Sequence, residues 1–185
     1  MPRSLRPVLF AVALAAAAAG GALLYRQQAA PAAPVPDSPR LPAAALTRLM
    51  ALSLDDSAGR PQAFSQWQGK ILVVNFWATW CAPCREEMPA FSRLQAKLGG
   101  NGVQVVGIGI DSPSAIKEYA YQTPQAYPLL IGGSDGLELM GQLGNTRGAL
   151  PYTLVIDRRG QPSFSRLGLV SETQLENLLS SLAAS

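Results

Sequence analysis

Ile71-Leu72-Val73-Val74-Asn75-Phe76-Trp77-Ala78-Thr79-Trp80-Cys81-Ala82-Pro83-Cys84-Arg85-Glu86-Glu87-Met88-Pro89 contains both cysteines of the 185-residue chain, separated by two residues. Its first seven residues are apolar, β-branched or aromatic except for Asn75, the pattern of a strand buried on both faces. Beyond the cysteines, Arg85, Glu86, Glu87, Arg93, Gln95 and Lys97 alternate with Met88, Phe91, Leu94 and Leu98 at spacings of three and four, the pattern of an amphipathic helix. The cysteine pair therefore falls where a strand hands over to a helix. At a helix N-terminus, unpaired backbone N–H groups and the positive end of the macrodipole favour a thiolate at Cys81. The thiolate is the form that attacks a disulfide.

Two plainer roles compete with redox chemistry. A structural bridge closing so short a loop would contribute roughly 2 kcal/mol by the loop-closure formula, against about 3 for a fifteen-residue loop. A zinc site needs about four ligands, and the chain has two cysteines and no histidine. The pair reads as a redox dithiol, with the staple and the metal site as the alternatives.

Asn75-Phe76-Trp77-Ala78-Thr79-Trp80-Cys81-Ala82-Pro83-Cys84 resembles the active-site segment of the thioredoxin superfamily. Its continuation Arg85-Glu86-Glu87-Met88-Pro89 is similar to the membrane-anchored bacterial group that includes TlpA and ResA, and the likeness extends over about residues 50–183. The resemblance implies that Cys81 is the nucleophile and Cys84 the resolving thiol, with Ala82 and Pro83 at the helix N-terminus between them. It implies that Pro151 is a cis-proline beside the motif, although an X–Pro bond judged without that likeness is trans. Such a proline would leave the backbone of Leu150 open to an extended partner segment. Trp80, Leu150, Pro151 and Tyr152 are then the candidate partner-binding residues, with Tyr152 standing where threonine is common. Trp77 frames the site or belongs to the core.

Asn75 departs from the superfamily pattern, which has a buried aspartate here that assists proton transfer at the second cysteine. An asparagine cannot be a general base. Glu87, three residues after Cys84 on the same helix face, is the candidate replacement and matches a glutamate that tunes thiol acidity in ResA-like proteins. Its plainer reading is a solvated helix glutamate like Glu86. Pro89 has no N–H for the carbonyl of Arg85 and is expected to bend the helix.

The rest of the chain reads as an α/β, thioredoxin-like fold: a central mixed sheet flanked by helices, with an N-terminal β-hairpin extension. Leu46–Leu54 reads as the first hairpin strand, Asp55–Gly59 as the turn and Gln62–Ser65 as the return. Ser65–Lys70 reads as a helical turn that buries Trp67. Val103–Ile110 is a second buried strand, and Ser112 with Pro113 starts a helix running to about Gln122. Tyr127–Ile131 is extended, and a short helix spans Asp135–Leu143. Tyr152–Asp157 and Ser163–Leu169 form a hairpin, and the last helix starts at Ser171–Gln174.

Residues 1–28 read as a membrane anchor or signal sequence, 29–42 as a Pro/Ala-rich linker and 43–185 as the folded domain. Val8–Tyr25 is an uncharged run between arginines, roughly 27 Å long as a helix and close to a bilayer core. That length favours an uncleaved anchor in the inner membrane, with the domain on the extracytoplasmic, periplasmic side. Five prolines between Ala29 and Pro42 make a semi-rigid spacer. The net charge of +3 belongs to this head: from residue 43 onward the chain has eleven basic and eleven acidic residues. No polybasic surface points to nucleic acid.

These readings describe an extracytoplasmic thiol–disulfide oxidoreductase that needs no cofactor and no metal. Its implied partners are disulfide-bearing extracytoplasmic proteins and a membrane thiol donor similar to CcdA or DsbD, in pathways such as cytochrome c or oxidase maturation. Reduction of partners is the favoured direction and disulfide donation the alternative. A thiol peroxidase would share the fold but normally has threonine and arginine support around its cysteine. A thioredoxin-fold copper chaperone uses wider cysteine spacing plus a histidine.

Overall fold

The computed structural model describes residues 40–184, which belong to the compact unit Asp37–Ser185. The anchor or signal sequence expected over residues 1–28, and the linker as far as Pro39, lie outside the described residues. Among the described residues, no helix is long and apolar enough to cross a membrane.

A five-stranded mixed sheet forms the centre, in the order β5-β4-β3-β6-β7. β3 (Ile71–Trp77), β4 (Val103–Gly109) and β5 (Leu129–Ile131) run parallel, β6 (Tyr152–Ile156) is antiparallel to β3, and β7 (Pro162–Leu167) is antiparallel to β6 and so runs in the direction of β3. Every residue of β3 is buried, as expected of a central strand covered on both sides. Its period of two divides the core. Ile71, Val73 and Trp77 face one layer with Met88, Phe91, Leu94 and Leu175, while Leu72, Val74 and Phe76 face the other with Leu49, Leu139 and Leu154.

The first layer contains α2 (Ala82–Leu98), α3 (Pro113–Gln122) and α5 (Glu172–Ala183); the second contains α1 (Ala43–Ala51) and α4 (Gly133–Gln142). Helix starts follow capping rules: the Ser112 hydroxyl accepts from the Ala115 N–H and the Ser171 hydroxyl from the Gln174 N–H. Helix α2 runs through Pro89 as one element. Arg93–Glu172 and Lys97–Glu176 ion pairs link α2 to α5 at its surface.

The hairpin is present but starts later than Leu46–Leu54 suggested. Residues 43–51 are helical, because alanine, leucine, methionine and arginine are strong helix formers and Ala45 and Leu49 share a buried face four residues apart. The strands are only β1 (Ser53–Asp55) and β2 (Pro61–Ala63), and Phe64–Trp67 is already a 3₁₀ turn. Asp56 closes the hairpin by accepting from the N–H groups of Ala58 and Arg60 and from the Arg60 and Gln62 side chains. A bridge from Asp56 to Leu130, with the Ser57 N–H donating to the Leu129 carbonyl at 3.0 Å, lays the hairpin against edge strand β5. The hairpin thus covers an edge that would otherwise offer unpaired backbone groups.

Candidate active site

The C-terminal ends of β3 and β4 lie side by side and carry the site. Beyond β3, the backbone N–H and hydroxyl of Thr79 both donate to the Asp111 carboxylate, which follows β4. Burial pushes the Asp111 carboxyl up, but the bonds from Thr79 and Ser112 outweigh it and hold the group below its ordinary range. Asp111 therefore pins, as a carboxylate, the loop that delivers Cys81.

Cys81 is the N-cap of α2, and its Sγ accepts from the Cys84 N–H at 3.3 Å. Ala82 and Pro83 form the first turn, where the missing N–H of a proline costs no helical bond. The two cysteines are joined in a disulfide. Cys81 is 5% exposed and Cys84 fully buried, so the reachable sulfur is the one at the helix cap. Trp80 beside it is 69% exposed, whereas Trp77 is in the core with its ring centroid 5.0 Å from that of Tyr119.

Helix phase brings Glu87 into the core with Cys84, Met88 and Phe91, and it is 4% exposed, unlike the exposed Glu86. Its Oε1 accepts from Asn75 Nδ2 at 2.8 Å and its Oε2 from the Val170 N–H at 3.1 Å. No cation pairs with it among the described residues. Burial raises its pKa, the two neutral donors only partly oppose that, and it ends at about 7. Glu87 can change charge near neutral pH, three residues along the helix from Cys84.

The Leu150–Pro151 peptide bond is cis. The Pro151 carbonyl accepts from the Gly168 N–H at 2.8 Å, while the Leu150 backbone makes no hydrogen bond among the described residues. Tyr152 does not join this group. Its side chain faces the opposite layer with Leu154 and Ile156, is buried, and donates from its hydroxyl to the Leu143 carbonyl at 2.6 Å. Sequence reasoning missed Thr153, Asp111 and the Val170 N–H as parts of the site, and it read Asn75 as a vacancy rather than a donor. The period of two in paired strands was the available signal, since it places Asn75 and Thr153 directly opposite each other on the face that α2 covers. Among the described residues no group of histidine, cysteine and carboxylate side chains is arranged to hold a metal.

A model of the AhpC/TSA family matches residues 46–161. The thiol-disulfide oxidoreductase ResA of Bacillus thuringiensis (strain Al Hakam) is 31% identical over 125 residues, covering 67% of this chain and 70% of that protein. ResA of Geobacillus thermodenitrificans is 28% identical over 130 residues, covering 70% and 72%. Among solved structures, a thiol:disulfide interchange protein of the thioredoxin family from Chlorobium tepidum superposes with a TM-score of 0.67 at 25% identity, covering 80% of this chain and 99% of that one. With the Cys81-Ala82-Pro83-Cys84 segment disulfide-bonded at the cap of α2, a match to the family model over residues 46–161 and this likeness to ResA, the chain belongs to the AhpC/TSA family and is a thiol–disulfide oxidoreductase of the ResA kind.

Proposed function

We propose that the protein reduces disulfides of extracytoplasmic partner proteins, with Cys81 as nucleophile, Cys84 as resolving thiol and Glu87 as the carrier of the Cys84 proton. The observation that carries this reading is the gradient of access along α2: a sulfur at the helix cap, a second one sealed beneath it, and a buried carboxyl on the same helix face.

The reduced form starts the cycle. The Cys81 thiolate attacks one sulfur of a partner disulfide; the new S–S bond joins Cys81 to the partner, and the other partner sulfur leaves as a thiolate that takes a proton from water. Glu87 then accepts the Cys84 proton, since residues three apart on a helix are neighbours with Cβ atoms about 5–6 Å apart. The Cys84 thiolate attacks Cys81 Sγ, the Cys81–partner bond breaks, and the second partner thiolate departs and takes up the proton that Glu87 releases. Two electrons have moved from the dithiol to the partner, leaving the Cys81–Cys84 disulfide. A membrane thiol donor of the CcdA or DsbD kind would supply the next two electrons, and an N-terminal anchor in the inner membrane would keep the domain within its reach. Assembly pathways such as cytochrome c or oxidase maturation fit a tethered periplasmic reductase.

Trp80 and the Leu150 backbone shape the partner surface: a large exposed aromatic next to Cys81, and N–H and C=O groups before cis-Pro151 that make no hydrogen bond among the described residues. An extended partner segment could use both, one through apolar contact and one through main-chain hydrogen bonds.

The test is the reduction potential of the full-length protein, followed by tryptophan fluorescence in defined thiol buffers. A value near or below about −250 mV is the expected result for a reductase that needs a donor. A value near −120 mV would make it a disulfide donor and reverse the proposed direction.

A further inference from the structure

Asn75 occupies the middle of β3, fully buried, opposite Thr153 on β6. Its amide nitrogen uses its two hydrogens on Glu87 Oε1 at 2.8 Å and Thr153 Oγ1 at 3.1 Å. Its amide oxygen is buried without a hydrogen-bond partner among the described residues. Unpaired buried acceptors are costly, so this oxygen needs an explanation. Turning the amide over would put the nitrogen in the same unpartnered place, so that side of the site gives neither orientation a partner, and the choice falls to Glu87 and Thr153 on the other side. Both can reverse roles: a hydroxyl donates as readily as it accepts, and a carboxyl accepts when ionised and donates when protonated.

We propose that Asn75 is the positioning residue of Glu87 in both of its protonation states, its amide nitrogen holding the carboxylate and, after a half-turn of the side-chain amide, its oxygen holding the carboxylic acid. The other Glu87 oxygen is bonded to the Val170 N–H, a backbone donor that cannot reverse. The proton therefore goes to Oε1, the oxygen facing the reversible partner. When Cys84 gives up its proton, the electron pair stays on sulfur for attack on Cys81. The proton sits on Glu87 Oε1, and an O–H···Oδ1 bond replaces N–H···Oε1. The Thr153 hydroxyl then donates to the same amide oxygen. An aspartate could not serve, because two carboxylates at this separation would compete for one proton.

This inference rests on the reading of Glu87 as the proton carrier. Burial sets the carboxyl to change charge near pH 7, so both orientations are populated in the working range. The titratable groups around it are few. On its own helix are Cys81, Cys84 and the Arg85 guanidinium. From the other elements of that layer come the phenols of Tyr119 on α3 and Tyr127 before β5, each pushed up by burial so that neither ionises at neutral pH. From β3 and β6 come only the uncharged Asn75 and Thr153; β7 carries the exposed Arg166 opposite Thr153, and α5 carries Glu172 and Glu176, which are ion-paired with Arg93 and Lys97 at the surface.

The test is NMR of the oxidised full-length chain, with ¹⁵N in asparagine side chains and ¹³C in glutamate carboxyls, titrated from about pH 5 to 9. Oxidation keeps the thiols out of the titration. The Glu87 carboxyl and the Asn75 side-chain amide should move with one shared midpoint, and the Asn75 signals should stay flat in Glu87→Gln. A titrating Glu87 beside a flat Asn75 amide would overturn the proposal and leave the role of Glu87 intact. A Glu87 that keeps one charge state throughout would remove both. As a second reading, Asn75→Asp should split the single midpoint into two coupled steps, the upper one above the native midpoint; one unshifted midpoint would also overturn it.

Discussion

Replacing Glu87 by glutamine should abolish a specific dependence of stability on pH. In the folded chain Glu87 titrates at about 7, against 4.5 for an ordinary glutamate. Below 4.5 the residue is protonated whether the chain is folded or not, and its contribution to stability is fully present. As the pH rises, the unfolded chain ionises first and gains free energy that the folded chain cannot match until Glu87 itself ionises near 7. Stability is lost across that window. At about 1.36 kcal/mol per pH unit, the interval corresponds to a loss of about 3 kcal/mol. Few other groups act there, since the chain has no histidine. The carboxyls of Asp56, Asp111, Asp157, Glu138 and Glu172 are held below their ordinary values, so their contribution is present above about pH 4 and lost only on further acidification. Urea denaturation of the oxidised full-length protein, at half-unit steps from pH 4 to 8, should show the native chain losing this stability. Glu87→Gln should hold level and become the more stable of the two above pH 7. Parallel curves for the two proteins would refute the account of Glu87 as a carboxyl whose burial outweighs its hydrogen bonds.

Three further outcomes follow from the geometry. Cys84→Ser should accumulate a mixed disulfide between Cys81 and a partner, visible as a shifted band on a non-reducing gel, and Cys81→Ser should give none. Trp80→Ala should leave stability within about 0.5 kcal/mol, because the side chain is mostly exposed, yet slow the reaction with protein disulfides several-fold in a stopped-flow assay. Asp111→Asn weakens the charge-assisted bonds from Thr79 and Ser112 and should cost about 1–3 kcal/mol in urea denaturation.

The sheet and its helices were legible because their rules are local. Continuous apolar runs marked β3 and β4, and Ser112-Pro113 and Ser171 marked the starts of α3 and α5. The first helix is missed although its helix formers and the Ala45–Leu49 spacing are in the sequence, because Leu46–Leu54 reads as one mostly apolar strand leading into the Asp55–Gly59 turn. Cys81 and Cys84 were readable from spacing and context, and the helix phase of Glu87 put it on the Cys84 face. What the sequence hid was the network around Glu87. Asn75 lies twelve residues before Glu87, and Thr153 and the Val170 N–H lie far beyond it along the chain; the packing of α2 on β3, the pairing of β3 with β6 and the docking of α5 bring them together. Tyr152 shows the converse. Adjacent to Pro151 in sequence, its side chain is sent to the other sheet face by strand alternation, so nearness along the chain did not become nearness to the cysteines.

Why Glu87 is raised while Asp56 and Asp157 are lowered comes down to depth as well as partners. Asp56 and Asp157 expose about as little surface as Glu87, but they lie in surface turns, whereas Glu87 lies deep in the core and is desolvated far more. Each sits in a turn, accepts from two backbone N–H groups and is paired with an arginine, Arg60 at 2.9 Å and Arg159 at 2.9 Å. For them the hydrogen bonds and the cation outweigh burial. Glu87 has one backbone donor and one amide, both neutral, and no ion pair among the described residues. Desolvation wins there by default. A cation in place of Asn75 would hold Glu87 permanently ionised, and an aspartate would hold a proton between the two carboxyls. A neutral amide does neither, so Glu87 remains able to gain and lose a proton at the pH where a thiol must be deprotonated to resolve a mixed disulfide. The same substitution that removes the acid from the strand leaves the acid on the helix usable.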